Sequence, residues 1–185
     1  SAVSLLVRRV AAIKPGFQLG PDNVAAIVEI CAKLEGLPLA IELAASRLRM
    51  LTPAAMLARL RDRFTLLTGG ARDLPERQQT MRAAIDWSFE LLTDDQRTFF
   101  ARLGVFAGTF DLDAALQVGG AGLPMPLELL SSLVKQSMVA RSGTDRYRLL
   151  DTLRAYALDV LAELDADETR ARHASYFTDV AESGE

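Results

Sequence analysis

Gly36-Leu37-Pro38 separates two amphipathic patterns and constrains the fold of this chain more than any other stretch. Upstream, Val24, Ile27, Cys31 and Leu34 recur at helical spacing with Ile30 beside them, and downstream Leu39, Leu43 and Leu48 continue an apolar stripe. Glycine enters the left-handed backbone conformation without steric cost, so Gly36 predicts the C-terminal cap of the first helix. A proline at the first helical position loses no hydrogen bond, because that N–H has no intrahelical partner, so Pro38 predicts the start of the next helix. The two together specify a sharp, rigid corner. On these grounds alone it is a helix–helix corner in a core.

Around this corner the first block, to Leu67, reads as four helices. The first ends before Pro15-Gly16. The second opens near Pro21-Asp22-Asn23, where polar side chains can cap it, and the third runs from Pro38 to about Met50. Thr52-Pro53 gives an N-cap followed by a proline at the first position of the fourth. Thr68 to Pro75 has turn chemistry and no period, which places a linker there.

A second block starts near Gln79, with Met81, Ile85, Phe89 and Leu92 on one helix face. Thr93-Asp94-Asp95-Gln96 is a capping box opening a helix with Phe99, Phe100 and Leu103. Asp111 predicts the cap of a short helix through Leu116, and Pro126 opens another with Leu127, Leu130, Leu133 and Val134 inward. Two strands, Met138 to Arg141 and Arg146 to Leu149, flank the turn signal Ser142-Gly143-Thr144-Asp145. A closing helix carries Leu153, Ala157, Val160 and Leu164, and a last one from Asp167 carries Tyr176 and Val180. Three helices followed by a hairpin is the order of a winged helix. The fold class predicted is mainly α, a small helical bundle followed by a winged-helix domain with a short β-hairpin wing.

The stretch Leu34 to Ala44 resembles the Gly-x-Pro motif of the STAND (NB-ARC-like) signalling ATPases, especially of the large bacterial transcriptional regulators built on that module. Gln79 to Ser88, Leu103 to Gly108 and Tyr147 to Ala157 also resemble that family, in matching order and separation. The resemblance implies a helical lid domain over residues 1–67, a linker over 68–78, a winged-helix domain over 79–165 and the start of a C-terminal helical, repeat-like region over 166–185. It implies that Gly36, Leu37 and Pro38 lie on the adenine side of ATP or ADP, held with magnesium by a nucleotide-binding domain upstream of Ser1 in the same chain. DNA is bound by other domains in that family, and a C-terminal helical-repeat sensor is a further implied partner. Many members carry Met-His-Asp at the end of the winged helix, where the histidine contacts the β-phosphate of ADP. Leu149-Leu150-Asp151 stands there in this chain, and leucine cannot donate that hydrogen bond. Leu150 and Asp151 remain the switch or interdomain positions, with helix capping the competing role for Asp151.

Several functions are excluded or disfavoured by the residues themselves. No Gly-x-x-x-x-Gly-Lys-[Ser/Thr] loop occurs, so the chain has no phosphate cradle of that type and is expected to need no cofactor alone. It begins at Ser1, without Met, inside an amphipathic pattern, as a piece of a longer protein would. One histidine, His173, and one cysteine, Cys31, leave no His/Cys metal site, and His173 is expected to be exposed. A lone cysteine points to a reducing cytoplasm, and no apolar run reaches the ~20 residues that cross a bilayer. Catalysis by this chain is not expected.

The net charge of −3 disfavours a general polyanion binder. The expected recognition helix, Leu127 to Gln136, exposes Glu128, Ser131, Ser132, Lys135 and Gln136, a poor base reader. The wing arginines Arg141, Arg146 and Arg148 are the candidates for phosphate or nucleic-acid contact. Arg47, Arg49, Arg59, Arg61, Arg63, Arg72, Arg77 and Arg82 read as solvated helix faces with local ion pairs. The leading reading is thus a nucleotide-switched regulatory segment. The alternatives are a DNA-binding winged-helix module and a non-catalytic interaction scaffold.

Overall fold

The computed structural model describes residues 1–67 and 76–183, with side-chain detail outside 61–77, and divides into two compact units, Ser1–Leu91 and Leu92–Glu185. The expected linker at 68–78 falls largely outside the described residues, as do the side chains of Arg61, Arg63, Arg72 and Arg77.

The first unit contains α1 (Ala2–Ile13), α2 (Val24–Lys33), α3 (Pro38–Leu48), α4 (Pro53–Leu67) and α5 (Glu76–Glu90). Helix α3 is its centre: Ala40, Ile41, Leu43, Ala44, Ala45 and Leu48 are all buried, with α1, α4 and α5 packed around it. The small residues Ala40, Ala44 and Ala45 let the neighbouring helices approach closely, and Leu6, Val10, Ile27, Ile30 and Met56 fill the space between. Helix α5, which the sequence puts at the head of the second block, packs on α3 and α4. Its Trp87 and Ser88 are buried together with Ile85. Thr52 caps α4 as expected, its hydroxyl accepting from the Ala55 amide at 3.2 Å. Asn23 does not cap α2 with its side chain. Its Oδ1 accepts from the Gly20 amide and its Nδ2 donates to the Gln18 carbonyl, so it braces the incoming loop instead.

The second unit runs α6 (Asp94–Leu103), β1 (Phe110–Asp111), α7 (Leu112–Ala114) continued by a π-helical turn (Ala115–Gly119), α8 (Pro126–Lys135), β2 (Ala140–Arg141), β3 (Arg146–Arg148), α9 (Asp151–Ala162) and α10 (Ala166–Ser183). The sheet order is β1-β3-β2, antiparallel throughout. This is a winged helix, as expected, with one strand more than the sequence indicated. Strand β1 has two residues and therefore no alternation to read. Phe110 on it is fully buried and stacks on Phe106 at 4.5 Å between ring centroids, which anchors the hairpin to the core. The capping box at Thr93 and Gln96 forms in both directions, at 3.3 and 3.0 Å. Asp111 caps α7 through the Ala114 amide at 2.8 Å.

The structure departs from two local expectations. Helix α9 begins at Asp151 with Leu150 as N-cap, and no side chain caps it, so Asp151 is an exposed first-turn residue that favours the helix dipole rather than closing the end. Leu127 is not inward: it is 51% exposed, because Leu130 and Leu133 already occupy the buried stripe of α8.

Candidate functional site

The Gly-x-Pro corner is built by hydrogen bonds of a Schellman motif. The Gly36 amide donates to the Cys31 carbonyl at 3.1 Å and the Glu35 amide donates to Ala32 at 3.0 Å. Gly36 is left-handed, with φ of +66°, but the cap position proper is taken by Glu35, with φ of +50°. A non-glycine residue there is strained, and it is held: Thr80 on α5 donates its hydroxyl to the Glu35 carboxylate at 2.7 Å. Thr80 is buried, whereas Glu35 and Pro38 are exposed and Leu37 is half-buried. The corner therefore presents the ring of Pro38 outward from a fixed backbone. The exposed Pro38 ring is an apolar surface at the start of α3.

Arg47 departs from the solvated-face reading. It is half-buried, its guanidinium donates to the Ser88 carbonyl at 2.8 Å, and burial, with Arg49 nearby, lowers its pKa to about 10.

In the second unit the expected recognition helix and wing bound a groove of about 380 Å³. Leu127, Leu130 and Val134 form its floor, Tyr147 one wall, and Lys135 and Arg141 its charged rim, with Ser131 between. The strand register explains why one wing arginine faces the groove. Arg141 pairs with Tyr147 across β2–β3 and so shares its face, whereas Arg148 pairs with Ala140 on the other. The Arg141 guanidinium lies 5.9 Å from the Tyr147 ring centroid. Arg146 is engaged elsewhere, its Nε and Nη2 donating to the hydroxyl and carbonyl of Thr109, both at 2.8 Å. Of the five polar residues expected on the outer face of α8, Ser132 and Gln136 are half-buried; the amides of Gln96 and Gln136 both donate to the Ser132 hydroxyl at 2.9 Å. Glu128, Ser131 and Lys135 remain exposed.

Charge in this unit is unevenly placed. Residues 92–185 carry nine Lys and Arg against fifteen Asp and Glu. Arg97, Arg102, Arg170 and Arg172 pair with carboxylates, and Arg154 donates to the Phe106 carbonyl. Of the five cations without an acidic partner among the described residues, Arg154 is taken up by that carbonyl, and the other four, Lys135, Arg141, Arg146 and Arg148, lie on the end of α8 and the wing.

A half-buried polar cluster fastens α10. Arg102 on α6 donates to Asp165 Oδ2 through Nε at 2.9 Å and Nη2 at 2.6 Å, and through Nη1 to the Ala121 carbonyl at 2.7 Å. Arg172 reaches the same oxygen at 3.2 Å, and Thr169 donates to Oδ1. Burial by itself would raise the Asp165 carboxyl, but the hydrogen bonds and charge of Arg102, with Thr169 and Arg172, hold it below its ordinary value. His173 is not exposed as expected. It packs between Phe106 and Phe177, at 5.0 and 4.9 Å between ring centroids, and burial lowers its pKa. No signal in the sequence indicated the Arg102–Asp165 pair, whose members are 63 positions apart.

Among the described residues no group of three or more His, Cys, Asp or Glu is placed to hold a metal ion, and no helix is long and apolar enough to cross a membrane.

Residues 92–162 match the family described as "Winged helix-turn-helix domain". The chain is 44% identical over 189 residues to the Mycobacterium tuberculosis (strain ATCC 25618 / H37Rv) protein named "Putative HTH-type transcriptional regulator Rv0890c", and to its Mycobacterium bovis counterpart "Putative HTH-type transcriptional regulator Mb0914c". Those alignments take in 98% of this chain and 21% of each relative. It is also 39% identical to "Uncharacterized protein Rv0894" of the same Mycobacterium tuberculosis strain, over 95% of this chain and 47% of that protein. The chain thus spans about a fifth of the length of the first relatives and about half of the third.

Proposed function

We propose that this chain is the regulatory segment of a longer, nucleotide-switched transcriptional regulator. In this reading the first unit covers the base of ATP or ADP held by a domain upstream of Ser1, and the second unit responds to which nucleotide is bound. The observation that carries it is the Pro38 corner. A packing corner in a core would bury its proline, yet Pro38 is exposed on a backbone held by the Glu35–Thr80 hydrogen bond. The alignment of nearly the whole chain with a fifth of proteins named as transcriptional regulators supports a segment acting within a larger machine. The switch works because a ligand shifts a domain equilibrium only by its differential contacts with the two states. Leu150 offers no polar contact to a phosphate, so exposed Asp151 is the interdomain acceptor at this end of the winged helix.

The test is titration of a fluorescent ADP analogue into the full-length parent protein and its Pro38→Ala variant. Removing the ring forfeits roughly 40 Å² of apolar contact, ~1 kcal/mol, so affinity should fall about fivefold. Unchanged affinity refutes the adenine role.

A second reading, DNA binding by the winged helix, is favoured by the clustering of Lys135, Arg141, Arg146 and Arg148 on one end of the second unit. Anisotropy titration of duplex DNA at several salt concentrations decides it: contacts to three or four phosphates give a slope of about −3 in log K against log salt. No binding at low salt excludes it.

A further inference from the structure

We propose that the groove between α8 and the β2–β3 hairpin docks an acidic amphipathic helix of a protein partner. The inference uses only residues of the second unit and stands independently of the nucleotide reading.

The groove combines two chemistries that a helix with an apolar and an acidic face would satisfy together. Its floor of Leu127, Leu130 and Val134 is aliphatic, and Leu127 leaves half of its surface in water in the free protein. Such a strip gains from being covered by side chains spaced at i, i+3 or i+4, and i+7, the pattern by which helices seat in apolar grooves. Its rim carries Lys135 and Arg141, neither of which has an acidic partner among the described residues, in a unit where acids outnumber bases by fifteen to nine. The unit as a whole therefore repels anions, whereas the end that carries Lys135 and Arg141 attracts them and borders an apolar strip. Arg141 is partly oriented by the Tyr147 ring beneath it, which leaves its N–H fork open for a carboxylate.

The same surface is ill suited to a base pair edge. Ser132 and Gln136, the side chains that could read bases from the middle and end of α8, are hydrogen-bonded to each other, with Gln96 on the same hydroxyl. The beginning of the helix, which would enter a groove first, presents Met125, 65% exposed, then Leu127 and the carboxylate of Glu128. Apolar side chains and an acid laid against phosphates lose hydration and gain nothing, whereas against a leucine-bearing helix the apolar ones are buried.

The experiment uses the whole chain and three labelled probes followed by fluorescence anisotropy. The first is a short helical peptide with leucines at i, i+3 and i+7 flanked by glutamates, the second its counterpart with lysines for the glutamates, and the third a duplex DNA. The glutamate peptide should bind saturably and the lysine peptide should not. Arg141→Glu or Lys135→Glu should weaken the glutamate peptide by roughly tenfold or more, and Leu127→Asp should weaken it comparably. All three positions are exposed, and circular dichroism confirms that each variant is folded. The proposal is overturned if the glutamate peptide does not bind, if Leu127→Asp leaves its affinity unchanged, or if duplex DNA binds more tightly and displaces it.

Discussion

Replacing Asp165 with Asn strips the charge from the one carboxylate that both Arg102 and Arg172 contact. The Arg102 side chain is only 11% exposed, so its cation is left largely without water and without a counter-charge. Removing one partner of a buried ion pair costs about 3–5 kcal/mol. Two features reduce that figure here. Arg102 keeps its bond to the Ala121 carbonyl, and the Asp165 side chain is 24% exposed, which admits some solvent. A loss of ~2–3 kcal/mol is therefore expected, falling on whatever unfolding event separates α10 from α6. Expressed as hydrogen exchange, that is a drop in protection of roughly 30- to 140-fold, read in α10 by mass spectrometry. Amides of α1 to α3 should be unaffected. The pH dependence follows from the direction of the Asp165 shift: its stabilising contribution is present above the ordinary value of 3.8 and lost as pH falls through the lower folded value. A drop in α10 protection smaller than threefold would refute the reasoning, because a neutral amide would then serve Arg102 as well as a carboxylate does.

Three further outcomes are expected. Thr80→Val removes the donor that holds Glu35 in its left-handed conformation; since the carboxylate can rehydrate, the loss should be ~1 kcal/mol, seen as a lower urea midpoint in the fluorescence of Trp87, the single tryptophan. An unchanged midpoint would mean the corner stands without the brace. Gly120→Ala would bring a Cβ within 2.5 Å of Pro126 Cβ and 2.6 Å of the Leu116 carbonyl oxygen, so a cost of ~1–3 kcal/mol and a fall in melting temperature are expected. A melting temperature equal to that of the parent chain would contradict that packing. His173 should titrate below 6.5 by NMR; its folded pKa is depressed, so the stability it contributes is full above pH 6.5 and is lost as pH falls through the folded value. A titration at or above 6.5 would show that the ring is not packed among Phe106 and Phe177.

Much of this architecture is legible in the chain because helix punctuation is local chemistry. Pro38, the Thr93–Gln96 box, Asp111 and Pro126 each act on the next few residues, and each forms where its neighbours indicate. The failures share the opposite property. The two-residue strand β1 exists only because β3 offers it a partner, and nothing in Phe110-Asp111 announces it. Gly36 is left-handed as its type predicts, but Glu35 is left-handed too, and the Thr80 hydroxyl that meets its carboxylate is distant in sequence. Leu127 follows the helical period of its inward neighbours and yet faces out, because periodicity assigns a face and not the depth to which the core is already filled. The groove shares this origin: Arg141 and Tyr147 reach one side of it through strand register, while Lys135 arrives from a helix.

Mechanically, α10 is pinned at two places, by the Asp165 cluster at its start and by His173 and Phe177 on Phe106 further along. At 1.5 Å per residue, Asp165 and His173 lie ~12 Å apart along a helix ~27 Å long. A rod fixed at two points cannot swing about either, so α10 tilts only when one of the two anchors lets go.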